Sequence, residues 1–144
     1  TMNPPRAVIL ARPLAALIFL AMDSIWLTLM TPRLYRPEIG ALLRSSFDLW
    51  PALLFYILYV SGIVVFAVQP ALASGRPGAA GGPGAMLGLL SSATYDLTNQ
   101  ATLLGWSWSV TLADLAWGSL ATAAAALLAS LATLAISRKS AGRR

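Results

Sequence analysis

Long apolar runs, separated by short joints rich in proline, glycine or charge, dominate this chain. Four such runs stand out, at about 8–30, 49–72, 84–104 and 109–136. Each, at about 1.5 Å of rise per residue, is long enough to cross a hydrocarbon core of roughly 30 Å. The pattern predicts an all-α protein, an integral membrane four-helix bundle in one domain over 2–137, with a basic tail at 138–144. Thr1, ahead of Met2, is set aside from the reading.

The joints refine this. The prolines of "TPRLYRPEIG" are expected to stop the first helix at Thr31, and "EIGALLRSSF" reads as a short amphipathic segment on the surface. The connector "ASGRPGAAGGPG" reads as a flexible loop. Only a few residues around "GWSWS" join the last two runs, which makes them an antiparallel hairpin with Trp106 and Trp108 at one interface. The first run reads as a retained helix rather than a cleaved leader, because it is long, contains Asp23 and lacks a small-residue cleavage site.

Charge sets the orientation. With four spans, one side collects Arg6, Arg12, Arg76, Arg138, Lys139, Arg143 and Arg144; the other has Arg33, Arg36 and Arg44, offset by Glu38 and Asp48. The positive-inside rule places both termini in the cytoplasm, in a multi-pass protein of the bacterial inner membrane. The tail "SRKSAGRR" reads as a topology anchor, with contact to anionic membrane lipids as a secondary effect.

Composition narrows the chemistry. Charged residues are 10% of the chain and hydrophobic residues 58%, against roughly 25% charged in a soluble domain. Cysteine and histidine are absent, which removes disulfides, thiol catalysis and the usual zinc and haem ligation; no cofactor is expected. The net charge of +5 sits at the ends of the apolar runs, so it reads as topology and not as a nucleic-acid surface.

In the fourth run, Gly118, Thr122, Ala126 and Ser130 recur every fourth residue beside a stripe of Ala121, Ala125, Ala129 and Thr133. Small residues at that spacing let helices approach closely in lipid. They mark a central helix or a homo-oligomer interface through span four; ordinary alanine enrichment is the alternative.

Against this apolar background the polar residues are conspicuous. Ser92, Tyr95, Asp96, Asn99 and Thr102 fall on one stripe of the third run, which must face protein or water. The first run carries Asp23 and Trp26, the last Asp114 and Trp117, each pair in a D-x-x-W spacing that puts acid and indole on one face. Counted from the far ends of their helices, Asp96 lies roughly 15 Å deep, Asp23 roughly 12 Å and Asp114 roughly 8 Å. A charged carboxylate at mid-bilayer costs about 2.5–3.5 kcal/mol, so either a proton or a cation must neutralise such a group. The expected site is an exofacial cavity lined by Asp23, Asp96, Asn99 and Asp114 and walled by Tyr95, Trp26 and Trp117. The plainer alternative is interhelical hydrogen bonding, each bond contributing about 0.6–2 kcal/mol.

In order and spacing, "DSIWL", "LLFYILY", "TYDLTNQATLLGW" and "VTLADLAWG" resemble the bacterial membrane-protein family DUF2177, from Pro13 to Ala129. The segment Tyr95 to Asn99 matches the family pattern, as do Asp23, Trp26, Asp114 and Trp117. The resemblance implies a small inner-membrane protein of four spans and carries over no activity residue by residue. The glycine-rich connector is looser than in typical members.

Three functions fit these residues. The first is binding or transport of a cation, a proton-coupled small molecule or a lipid. The second is an intramembrane enzyme acting on lipid or peptide, which needs two carboxyls in split acid and base roles. No G-x-S-x-G, phosphate loop, H-E-x-x-H or dinucleotide fingerprint is present, so the reading leans away from an enzyme. The third is an accessory subunit of a membrane complex, docked through span four.

Overall fold

The computed structural model describes residues 4–143; the expected domain start at residue 2 and the last residue of the tail, Arg144, lie outside the described residues. The protein is all-α, with four long helical rods. The first is α1 (Pro4–Met30), continued through a π turn (Thr31–Tyr35) into α2 (Arg36–Ile39) and a 3-10 turn (Gly40–Leu42). The second is α3 (Leu49–Ile63), a π turn (Val64–Val68) and α4 (Gln69–Ala73); the third and fourth are α5 (Gly81–Thr102) and α6 (Trp108–Ala141).

The prolines near Thr31 do not end the first helix, as their chemistry had suggested. Both π turns show why. Arg36 N–H reaches back to Thr31 O, and Gln69 N–H to Val64 O, each one residue before a proline, Pro37 or Pro70. The wider i to i−5 turn suits a residue that has no N–H to donate and whose ring crowds the preceding turn. The helix therefore runs to Leu42, and "EIGALL" belongs to its end rather than to a separate surface segment.

The glycine-rich connector is also more ordered than expected. The second rod ends at Gly75, at φ 69°, where Gly75 N–H and Arg76 N–H cap the carbonyls of Leu72 and Ala71. A 3-10 turn (Pro77–Ala80) leads directly into α5, whose first turn contains Gly81, Gly82 and Pro83. Proline is tolerated there because first-turn N–H groups have no helical partner. At the other end, α6 continues past residue 136 to Ala141, so most of the basic tail is helical.

Three helices are long and apolar enough to cross a membrane: Arg6–Leu42, Leu49–Ala73 and Trp108–Ala141. The 22-residue α5 has the length but not the apolarity. Its polar side chains are partly self-satisfied, since the hydroxyls of Thr94, Thr98 and Thr102 donate to the carbonyls of Leu90, Thr94 and Thr98 one turn earlier. Thr102 is accordingly exposed, and it leaves the inward stripe predicted for it.

The core is built from small residues. Ala7, Ala11, Ala15 and Phe19 form one buried line on α1, and Ala121, Thr122, Ala125, Ala126, Ala129, Ser130 and Thr133 are fully buried on α6. Helix α6 packs chiefly on α5 and then on α1. Its small-residue stripes are thus used inside the chain, as the central-helix alternative expected. At the tightest point a Cβ on Gly88 would lie 2.0 Å from Gly118 O.

Candidate functional site

The same end of the bundle gathers the C-terminal part of α1, the N-terminal part of α3, the C-terminal part of α5 and the start of α6. Antiparallel neighbours fix this: Phe19 meets Tyr59, Asp23 meets Tyr56, Gly88 meets Gly118 and Tyr35 meets Asp114. Between them lies a cavity of roughly 420 Å³. Asp23, Trp26, Tyr95, Asp96, Asp114 and Trp117 all line it; Asn99, one helical turn beyond Tyr95, does not. The cavity therefore brings together six of the seven residues singled out in the sequence.

The acids are held in different ways. Asp23 accepts from Tyr56 Oη at 2.5 Å and from Trp117 Nε1 at 3.4 Å. Asp114 accepts from Tyr35 Oη, which in turn accepts from Trp26 Nε1 at 2.8 Å. Asp96 lines the cavity together with Asp114, and its Oδ1 is buried without a hydrogen-bond partner. A buried acceptor left open costs free energy unless a ligand or proton satisfies it.

The three carboxyls do not form a metal cage. Among the described residues no group of three or more acidic side chains is arranged to hold a metal ion. Asp23 and Asp114 are each engaged by tyrosine or tryptophan donors instead. No lysine or arginine lines the cavity.

Aromatic packing shapes the walls. Trp26 stacks on Trp117, and Phe55 stacks on Tyr59 with centroids 5.2 Å apart and planes 16° from parallel. Tyr59 Oη and Thr122 Oγ1 are 2.6 Å apart, which ties α3 to α6 below the acids. The turn between α5 and α6 is pinned separately. Gln100 Nε2 donates to Trp106 O, Trp106 Nε1 to Thr111 Oγ1, and Thr111 Oγ1 to Gln100 Oε1.

The tyrosines are the residues that sequence reasoning missed. Tyr56 and Tyr59, three apart in "LLFYILY", share a helix face and offered a signal. Tyr35 offered none, because it lies beyond prolines expected to end the helix. Only the π turn carries it back over Asp114.

The profile of the family described as "Predicted membrane protein (DUF2177)" matches residues 8–131, and the chain belongs to that family. No curated protein and no solved structure matches the chain. The family and the helical architecture together make this a small multi-span membrane protein.

Proposed function

We propose that this DUF2177 member lies in a bacterial inner membrane with both termini cytoplasmic. In this reading α5 completes a four-span bundle, and the cavity around Asp96 binds a small ligand with a cationic or hydrogen-bond-donating group. One observation carries the reading. Asp96 is 1% exposed, lines the cavity and keeps Oδ1 without a partner. The phenols of Tyr35, Tyr56 and Tyr59 and both indoles are already engaged, so few donors remain for an anion, and the acids would repel one. A cation or N–H donor meets an open acceptor and aromatic faces that favour positive charge. Exchange of that ligand with a proton at Asp96 would couple binding to a proton and make transport possible.

The carboxyl pair also favours a second reading, an intramembrane enzyme in which one acid donates and the other accepts a proton. Turnover of a lipid or peptide that disappears in both Asp96→Asn and Asp114→Asn would select it over simple binding.

Thermal unfolding of the purified protein against methylammonium, tetramethylammonium, alkali and divalent cations, run beside Asp96→Asn, tests the binding reading. A stabilising shift in the parent that is lost in the variant supports it. Equal responses in both proteins, or none in either, would overturn it.

A further inference from the structure

The geometry points to a ligand that reaches the cavity from within the bilayer: an amphiphilic amine whose ammonium sits at Asp96 and whose apolar tail passes between α3 and α5. This rests on the cationic reading of the site and adds the route and the tail.

Four rods enclose the cavity, but not evenly. Helix α1 packs on α3 and on α6, and α6 packs on α5, whereas α5 meets the second rod chiefly at the π turn Val64–Val68, below the acids. The α3 and α5 walls therefore make little direct contact beside the cavity. Phe55 on α3 and Tyr95 on α5 both line the cavity and are 49% and 60% exposed, so they flank an opening toward the side of the bundle. Ser91, one helical turn before Tyr95, lines the cavity on the α5 wall.

The end of the bundle, by contrast, is roofed. Trp26 and Tyr35 link across it to Asp114, and the continued first helix crosses to the α5–α6 turn, where Ser107 Oγ donates to Glu38 Oε2 at 2.6 Å. A small hydrated cation arriving from the aqueous side would have to displace this hydrogen-bonded cover. A molecule already dissolved in lipid meets only Phe55, Tyr95 and the exposed apolar face of α3, formed by Leu54, Leu58 and their neighbours. Amphiphiles concentrate in that layer, with head at interfacial depth and tail in hydrocarbon. An apolar wall combined with one buried open carboxyl matches both halves of such a molecule.

The test uses the protein in lipid nanodiscs, with tryptophan fluorescence reporting binding of dodecylamine, dodecanol, laurate and methylamine. Dodecylamine is expected to bind roughly tenfold or more tighter than dodecanol, because the charged head gains a charge-assisted bond, and laurate is expected not to bind. Leu54→Ser combined with Leu58→Ser, which strips the apolar face of α3 outside the cavity lining, should weaken dodecylamine while leaving methylamine unchanged. If dodecylamine binds no better than methylamine, or the Leu54→Ser, Leu58→Ser variant weakens neither, the lateral route is wrong while the site survives. If dodecanol and laurate match dodecylamine, or Asp96→Asn binds the amines like the parent, the cationic site fails and the route with it.

Discussion

The indole of Trp26 lies flat on the indole of Trp117, with ring centroids 4.6 Å apart and planes 6° from parallel. Each belongs to a D-x-x-W element, one on α1 and one on α6. Their donors cross over. Trp117 Nε1 serves Asp23 on α1, and Trp26 Nε1 serves Asp114 on α6 through Tyr35. The two elements are thus one interlocked unit that holds the outer ends of α1 and α6 together.

That unit is open to a double-mutant cycle. Trp117→Phe keeps a stackable ring and removes the donor, while Asp23→Ala removes the acceptor. The coupling energy between them, measured by denaturant titration in detergent, is expected at about 0.6–2 kcal/mol, toward the lower end given the 3.4 Å separation. A coupling of zero would mean that the indole stack alone joins the helices.

Tyr35→Phe should be costlier than an ordinary phenol deletion, because it leaves Asp114 without its donor and Trp26 Nε1 without its acceptor. We expect a loss of about 1–3 kcal/mol in the single variant. In an Asp114→Ala background the same change should cost clearly less. Equal costs in both backgrounds would place Tyr35 outside the network.

The α5–α6 contact gives a prediction that depends on which atom is in the way. A Cβ on Gly88 would meet a backbone atom, Gly118 O, at 2.0 Å, whereas a Cβ on Gly118 would meet a side chain, Ser92 Oγ, at 2.0 Å. Gly88→Ala and Gly118→Ala should both lower the yield of folded protein. Ser92→Gly should rescue only Gly118→Ala, and Gly82→Ala, which has nothing within 4 Å, should be neutral. Monodispersity on size exclusion and thermal stability would report all four.

Gln100→Leu should loosen the turn after α5. It strands the carbonyl of Trp106 and leaves the hydroxyl proton of the fully buried Thr111 without an acceptor, while Trp106 Nε1 still donates to that oxygen. A cost of about 1–2 kcal/mol is expected, together with faster proteolysis around Gly105. Unchanged cleavage would show that Gly105, at φ 81°, and the Ser107 cap hold the turn by themselves.

The sequence by itself determined the class and the chemistry available. Apolar runs of membrane length, basic charge gathered at their ends and the absence of cysteine and histidine define an all-helical membrane protein whose site must be built from oxygen, amide and aromatic groups. Helical spacing also put each aspartate beside its tryptophan, because three residues separate neighbours on one face. What it could not determine was how the acids share partners, since that depends on the order and offset of helices far apart in sequence. Tertiary packing gave Asp23 to Tyr56, brought Asp114 under Tyr35 through a π turn, and left Asp96 with an open oxygen. It also turned the small-residue stripes of α6 inward, because two glycines on facing helices let the backbones of α5 and α6 approach closely.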